Sequence, residues 1–322
     1  VRSRCKFDGS ESIRFHQIRT VDSWIRDYGP NFLLLRAPVS DQLVSDKLQF
    51  VADSRYEPPS ETHNKLKFVG RGLAYNDWIF NAWGNKYEEL KQDDAIPGQL
   101  ESVLGVPRFE PGIVLEGGAI DVNGAGVVMT TEQCLLNPNR NPQLTRAEIE
   151  ENLKSYLGVE KAIWLGEGIV GDDTDGHIDD IARFVSPTTI LCAVEEDPSD
   201  SNYKLLMANY ERLQQATDAQ GRGFDIIKLP MPGAVYASGN KSSRDLDRLP
   251  ASYANFYIAN GVVMVPLFEH ENDAKALKII QRVFPNRRVV GINCEPLVWG
   301  MGTIHCVTQQ QPLLSSEVSF RA

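Results

Sequence analysis

Three copies of one pattern, strand then helix then strand, constrain this fold more than any other feature of the sequence. In each copy an apolar stretch of strand length precedes a segment with helical periodicity, and a second apolar stretch follows it. The copies are predicted at 124–130, 146–157 and 161–165, at 189–193, 203–217 and 225–229, and at 261–265, 273–284 and 288–292. Repeated units of this order predict an α/β architecture with internal repetition. Because no composition break marks a linker, we interpret residues 1–322 as a single domain.

The predicted helices begin and end at recognisable residues. Thr145 with Glu148 forms the pattern of a capping box, in which side chain and backbone groups satisfy one another at a helix start. Gly158 is placed to end the same helix, and Pro285 follows the last one. No glycine-rich fingerprint follows a first strand, which disfavours a nucleotide-binding doubly wound fold.

The charge balance and the cysteines narrow the classes of function. The 322 residues carry a net charge of −10, which argues against a nucleic-acid partner because such partners select basic surfaces. The longest apolar run, at 262–268, is too short to span a bilayer and contains Pro266, so we expect no membrane partner. Five cysteines without a CxxC pair indicate reduced thiols in a cytoplasmic protein and no structural metal site.

The stretch 299–312 (WGMGTIHCVTQQQP) contains the candidate nucleophile. Its glycines let the backbone approach a ligand closely, and Cys306 follows them in a run that we predict to be extended. A thiol there is a plausible nucleophile if its pKa is lowered, although cysteines more often serve as small buried hydrophobic residues. Since neighbours on a strand face opposite sides, we expect His305 to point away from Cys306 and the catalytic histidine to come from elsewhere.

A second stretch, 171–184 (GDDTDGHIDDIARF), supplies a histidine and a carboxylate. His177 and Asp179 are two residues apart, so on an extended segment they face the same side and can address one bound group together. A calcium loop is the competing interpretation, but alignment on its glycine leaves Gly171 and Ala182 where ligands are required. A solvated acidic turn is the simplest alternative for this stretch taken alone.

Two further stretches place polar groups beside glycines. In 20–30 (TVDSWIRDYGP), Trp24 and Asp27 precede a Gly-Pro turn, which either presents polar groups on a loop or holds a buried tryptophan beside an ion pair. In 114–120 (VLEGGAI), Glu116 interrupts an apolar strand before two glycines. That carboxylate is either paired in the interior or exposed at a strand end, because burial without a partner is costly.

The candidate site residues of the four stretches are one thiol, one histidine and three carboxylates: Cys306, His177, Asp27, Glu116 and Asp179. This inventory suits attack on a guanidinium, because two carboxylates can hold the planar cation through paired charge-assisted hydrogen bonds. A thiolate then attacks the central carbon while a histidine moves the protons. A cationic substrate also agrees with the acidic balance of the chain.

The same stretches and three others carry a resemblance to a known family. The matching pieces follow the family's order: 24–30 (WIRDYGP), 80–84 (FNAWG), 115–118 (LEGG), 136–142 (LNPNRNP), 174–179 (TDGHID), 253–260 (YANFYIAN) and 304–312 (IHCVTQQQP). On these motifs the chain resembles the agmatine deiminases of the Porphyromonas-type peptidyl-arginine deiminase family, within the guanidine-modifying superfamily. The resemblance implies a five-bladed α/β-propeller (pentein) of repeated ββαβ units, with the site at its centre and the N-terminal unit incomplete in this chain.

The resemblance also implies the role of each catalytic residue. Cys306 is the nucleophile and forms a covalent amidino-thioether, while His177 protonates the departing ammonia and then activates the hydrolytic water. Asp27 and Asp179 grip the guanidinium, and Glu116 binds it and orients His177.

Trp24 and Gly302 complete the implied pocket beside the substrate. The implied reaction hydrolyses agmatine, a small cationic guanidine, to N-carbamoylputrescine and ammonia. It is a step in polyamine biosynthesis towards putrescine, with neither metal nor cofactor. A homodimer is compatible with the resemblance, although the sequence marks no interface.

The sequence departs from the family's pattern at two positions near the nucleophile. Met301 stands where a glycine is usual and Thr303 where an asparagine is usual, so the entrance is expected to be narrower or a loop shifted. Three alternatives therefore stay open. One is deimination of another guanidine, such as the C-terminal arginine of a peptide, whose carboxylate would need a basic clamp. The others are a non-catalytic guanidine-binding scaffold and a metallohydrolase.

Overall fold

A computed structural model describes residues 16–35, 72–237 and 247–312. Within these ranges the chain forms four units, each with two strands, a helix and a third strand. The units are β1 (Asn31–Leu35), β2 (Gly72–Asn76), α1 (Ile96–Leu104) and β3 (Arg108–Phe109); β4 (Asp121–Val122), β5 (Val127–Thr131), α2 (Arg146–Leu157) and β6 (Lys161–Leu165); β7 (Ala182–Ser186), β8 (Thr189–Val194), α3 (Asn202–Gln215) and β9 (Asp225–Pro230); and β10 (Tyr257–Ala259), β11 (Val262–Leu267), α4 (Asn272–Val283) and β12 (Arg288–Asn293).

Each unit builds its own three-stranded sheet with the same topology. The first two strands pair antiparallel, and the helix then returns the chain so that the third strand pairs parallel to the second. In the second unit, for example, Val127 lies opposite Lys161 and Thr131 opposite Leu165. A parallel neighbour requires such a crossover, which explains why a helix precedes every third strand.

The three predicted repeats are confirmed as the second, third and fourth units. The capping box at Thr145 and Glu148 is present, and Gly158 ends α2 with a left-handed φ of 65°. The predicted strand at 124–130 begins late, at Val127. Gly124 and Gly126 have φ angles of 66° and 90°, which place them in a turn before the strand.

The apolar faces of α2 and α4 share buried clusters with the middle strands of their units. Ile149 and Leu153 of α2 share a buried cluster with Val128 of β5. In the fourth unit, Ala276 and Ile280 of α4 pack with Val263. Full burial of side chains of this size stabilises a fold by about 1.5–3 kcal/mol each, so every unit contributes its own portion of the core.

Short helical segments lie within, between and beside these units. They are Ile25–Tyr28, Ala82–Asn85, Glu88–Ala95, Gly117–Ala119, Glu132–Leu135, Ile178–Asp180 and Glu295–Val298. Three of them, at 25–28, 117–119 and 178–180, stand a few residues before the first strand of the first, second and third units. The repeat therefore places equivalent turns at equivalent positions. Over the part of the chain that the structure describes, no helix combines the length and apolar character needed to cross a membrane.

Candidate active site

Four of the segments selected from the sequence meet in the interior of the molecule. The turn Ile25–Tyr28 contacts Gly117–Ala119, which in turn contacts Ile178–Asp180. The fourth segment is tied to the first, because the Arg26 amide donates a 3.0 Å hydrogen bond to the carbonyl oxygen of Cys306. Residues far apart in the chain are thus joined in one buried site.

Gly118 lies at the point where three predicted site residues converge. A Cβ at this position would lie 2.6 Å from His177 Nδ1, 2.7 Å from Asp27 Oδ1 and 3.2 Å from Asp179 Oδ2. Contacts this short leave no room for a side chain, so glycine is required by close approach rather than by its φ angle. The two aspartates and the histidine are therefore brought together as the sequence predicted. However, His177 immediately precedes a 3-10 turn at Ile178–Asp180, and Asp179 lies within that turn. The extended segment that we expected is therefore wrong.

Asp27 is held by two donors on opposite oxygens. The Gly118 amide donates to Oδ1 and Trp83 Nε1 donates to Oδ2, both at 2.9 Å. Trp83 belongs to Ala82–Asn85, whose four residues have φ angles of 53° to 87° and form a left-handed turn. Such backbone is costly outside glycine, and strain of this kind clusters at functional sites. Burial and the nearby charge of Asp179 raise the pKa of Asp27.

Cys306 lies in a turn at 304–307, so the predicted extended run is wrong here. Its geometry differs because the Val307 amide bonds back to the Thr303 carbonyl at 3.3 Å instead of joining a sheet. The thiol is 3.9 Å from Asp179 Oδ2 and accepts a 3.2 Å hydrogen bond from Asn255 Nδ2. Burial, followed by the charge of Asp179, raises the pKa of Cys306 well above its ordinary value, which leaves the sulfur protonated in the ligand-free site.

His305 points into the site. The expectation that it points away from Cys306, which assumed an extended strand, is therefore wrong. His305 Nδ1 lies 2.6 Å from Asp179 Oδ2, the same oxygen that neighbours Cys306. Burial, with the charge of Arg183, holds the pKa of His305 well below its usual range. In the tautomer that carries its proton on Nδ1, a neutral His305 donates to Asp179 and orients it. His177 Nδ1 lies near the same carboxylate at Gly118.

Glu116 is completely buried and paired with a residue that sequence reasoning missed. Arg140 Nε donates to Glu116 Oε1 at 2.6 Å, and Arg140 Nη1 donates to Asp175 Oδ2 at 2.6 Å. Burial raises the pKa of Glu116, and the guanidinium of Arg140 partly opposes that shift. Arg140 lies within the motif at 136–142, but its partner is 24 residues away, so only the resemblance could have marked it.

Three acceptor atoms of the site are buried and have no hydrogen-bond partner within residues 16–35, 72–237 and 247–312. They are Glu116 Oε2, His177 Nε2 and Asp179 Oδ1. Burial of an unpaired polar atom is costly, so such a group is expected to have a partner that is bound only at times. Burial, with the charge of Arg140, holds the pKa of His177 well below its usual value, so the free imidazole is neutral.

Trp24 and Gly302 lie beside the nucleophile, where the sequence predicted the pocket wall. Trp24 is buried, and a Cβ on Gly302 would lie 2.7 Å from Trp24 Cζ3 and 3.1 Å from Cys306 Cβ. The indole and the glycine backbone thus close one side of the sulfur. Met301, the unusual neighbour, has a φ of 73° and packs against the hydrophobic cluster of the fourth unit. Its left-handed backbone explains why glycine is the usual residue there.

Asn255 is the second site residue that sequence reasoning did not assign. Its Oδ1 accepts from Thr303 Oγ1 at 2.6 Å and from the His305 amide at 3.0 Å, while its Nδ2 reaches the sulfur of Cys306. The motif at 253–260 signalled its importance but not its role. Thr303, the other departure from the family's pattern, therefore holds Asn255, which in turn contacts the nucleophile.

A family model described as Porphyromonas-type peptidyl-arginine deiminase matches residues 1–312. The chain belongs to this family. An agmatine deiminase of Medicago truncatula is 38% identical over 322 residues, which cover 94% of this chain and 79% of that protein.

Solved structures give the same assignment. An agmatine deiminase of Enterococcus faecalis is 36% identical, with a TM-score of 0.73 over 90% of this chain and 74% of that one. A C. jejuni agmatine deiminase is 30% identical, with a TM-score of 0.70 over 93% and 76% of the two chains. The fold of this Porphyromonas-type deiminase is thus the pentein α/β-propeller, of which four ββαβ units lie within the described residues.

Proposed function

We propose that this protein is an agmatine deiminase, which hydrolyses the guanidinium of agmatine to N-carbamoylputrescine and ammonia. The observation that supports this most strongly is the set of three buried acceptor atoms that have no hydrogen-bond partner among the described residues, on Glu116, His177 and Asp179. Asp179 also lies 3.9 Å from the thiol of Cys306. A guanidinium is a planar cation with several N–H donors, and it would satisfy acceptors that no group in the described part of the chain satisfies. The names of the relatives agree with this substrate.

Binding of the cation would also activate the nucleophile. In the ligand-free site, burial and the charges of Asp179, Asp180 and Asp27 hold the pKa of Cys306 high. A positive charge placed among these carboxylates favours both ionised carboxylates and a thiolate. Burial keeps the imidazole of His177 neutral in the free site, so it is available to take the thiol proton once the bound cation has lowered the pKa of the thiol.

The reaction then proceeds in two balanced steps. The sulfur of Cys306 bonds to the guanidinium carbon, and His177 gives its proton to the departing nitrogen, which leaves as ammonia. Water, deprotonated by His177, next adds to the same carbon, and the C–S bond breaks to release the ureido product and the thiolate. Splitting one difficult hydrolysis into two displacements is the usual advantage of a covalent intermediate.

Two carboxylates hold the substrate through both steps in this proposal. Asp27 is fixed by Trp83 and Gly118, and Asp179 is fixed by His305, so neither needs to reorganise when the cation arrives. Glu116 contributes Oε2 to the guanidinium while Arg140 holds Oε1. We further propose a cytoplasmic location and a place in polyamine synthesis, in keeping with the free buried thiols Cys134, Cys192, Cys294 and Cys306.

Comparison of three substrates tests the proposal. The protein is incubated separately with agmatine, free arginine and a peptide that ends in arginine, and ureido product and ammonia are measured. We expect turnover of agmatine and loss of turnover in Cys306→Ala. Preferential turnover of the peptide would replace agmatine with peptidyl arginine as the substrate, and absence of turnover with all three would contradict the enzymatic function.

A further inference from the structure

A second thiol lies against the candidate acid–base histidine, and the proposed reaction does not use it. Cys134 belongs to the helical turn Glu132–Leu135 and is fully buried. Cys134, Glu116 and His177 each offer one ligand atom, and these atoms all lie within 4.8 Å of one another. A thiol, an imidazole and a carboxylate are the three side-chain donors that proteins use for zinc.

Two of these three side chains have a free acceptor atom in the interior. Among the residues that the structure describes, none forms a hydrogen bond with Glu116 Oε2 or His177 Nε2. A bound guanidinium would account for these acceptors, but it gives no reason for a sulfur beside them. A thiophilic cation would use all three side chains at once.

The charges around the group are also suited to a divalent cation. Arg140 is paired with both Glu116 and Asp175, so its single positive charge is offset by two carboxylates. With the thiol of Cys134 ionised, these four side chains carry a formal net charge of −2. A Zn²⁺ ion would neutralise this charge of −2. If a further carboxylate also bound the ion, one negative charge would remain buried.

We propose that Glu116, Cys134 and His177 bind a Zn²⁺ ion, which occupies the interior side of the site. Zinc bonds of about 2.0–2.3 Å require ligand atoms about 3.3–3.8 Å apart in a tetrahedral arrangement. The three ligand atoms lie within 4.8 Å of one another, so binding would draw them closer together. The Cys134 S–H bond breaks, its electron pair forms the S–Zn bond, and the proton is released to solvent. Three protein ligands leave a fourth position for water.

Such an ion would inhibit rather than assist the proposed reaction. It would occupy His177, which the reaction needs as acid and base, and Glu116, which the substrate needs as acceptor. Zinc and agmatine should therefore compete. This competition rests on the proposed function, whereas the binding of the ion does not.

Cobalt spectroscopy tests the binding without using enzyme activity. Co²⁺ replaces Zn²⁺ in such sites, and a thiolate ligand gives a charge-transfer band in the near ultraviolet. The measurement uses Cys306→Ala protein, so that the sulfur of the nucleophile cannot contribute. We expect the band to saturate at about one Co²⁺ per chain and to be lost when Zn²⁺ displaces the Co²⁺. The band should be absent when the protein also carries Cys134→Ala, and it should persist when the protein carries Cys192→Ala instead.

Each other outcome contradicts the site. A band that appears in wild-type protein but not in Cys306→Ala would place the ion on the nucleophile. A band that survives Cys134→Ala would place it on another thiol, and absence of any bound Co²⁺ would leave the three side chains without a metal role. Should Cys134→Ala unfold, Cys134→Ser in the same background replaces it, with folding checked by thermal denaturation.

Discussion

At the scale of single residues, the support of the nucleophile depends on Asn255. This side chain contacts the sulfur of Cys306 and accepts from Thr303 and from the His305 amide. A hydrogen bond to an ionised group contributes about 1.5–3 kcal/mol, so we expect Asn255→Ala to lower kcat/KM for agmatine by about 10- to 100-fold.

Steady-state kinetics of a double variant give the control for Asn255. If Thr303 acts through Asn255, Thr303→Val should cause a smaller loss and add nothing to Asn255→Ala, because coupled residues are not additive. Full activity in Asn255→Ala would remove this residue from the support of the nucleophile.

Gly118 provides a test of how closely the site residues converge. The methyl group of Gly118→Ala would lie within 3.2 Å of His177, Asp27 and Asp179, and these groups would have to separate. Misplacement by about 1 Å can lower a rate by about 100-fold, and we expect a loss of at least that size in kcat/KM. Gly223→Ala is the matched control, because nothing lies within 4 Å of its added Cβ. Equal activity of the two variants would contradict the convergence.

Local chemistry could identify some site residues from sequence and not others. The sequence indicates Cys306, His177 and Asp179 only in combination, because each stretch alone has a simpler interpretation while thiol, imidazole and carboxylate together suit attack on a guanidinium. The structure brings His177, Asp179 and Asp27 together at Gly118, with Cys306 beside Asp179. Their individual roles remain predictions. Asn255 could not be assigned because its partners lie 48 to 51 residues away, and nothing in its own segment indicates that pairing.

At the scale of secondary-structure elements, α2 offers a change that should affect stability without affecting the site. Thr145 accepts from the Glu148 amide, and the Glu148 side chain accepts from the Thr145 amide. Replacement of such a cap by alanine costs about 1 kcal/mol, so Thr145→Ala should lower the free energy of unfolding by that amount in a denaturant titration. Thr145→Ser should retain most of it, and kcat/KM should be unchanged in both. Unchanged stability in Thr145→Ala would show that the cap contributes nothing.

The sequence analysis predicted α2, α3 and α4 with the second and third strands of their units. It missed β4 and β10, because two or three residues cannot display alternation. It also missed β7 and the whole first unit, although all of these elements except β3 are long enough to show a period. This omission concealed how the site is organised. Asp27, Gly118, Asp179 and Asn255 each lie a few residues before the first strand of a unit, so the repeat itself places them at equivalent positions.

At the scale of the whole molecule, the buried carboxylates link stability to pH. Burial raises the pKa of Asp27 and of Asp180, and it raises that of Asp179 to about 7. A raised pKa means that the folded protein favours the protonated acid. The stabilisation is therefore complete below the ordinary aspartate pKa of about 3.9 and is lost as pH rises through the raised values.

A guanidinium ligand should reverse that loss, because it favours the ionised carboxylates. In Cys306→Ala protein, which cannot turn over, we expect saturating agmatine to raise the Tm more at pH 8 than at pH 5. The ligand-free Tm should fall over the same range. A ligand-induced Tm shift that is larger at pH 5 would mean that the carboxylates are ionised before the cation binds.

The measurement that tests the central claim most directly is identification of the covalent intermediate. The protein is mixed with agmatine, quenched in acid during turnover, digested and mapped by mass spectrometry, with Cys306→Ala treated identically. We predict an amidino adduct of agmatine minus ammonia on the peptide that contains Cys306, absent from the variant. Turnover of agmatine without an adduct on Cys306, or with an adduct on another residue, would contradict nucleophilic catalysis by this thiol.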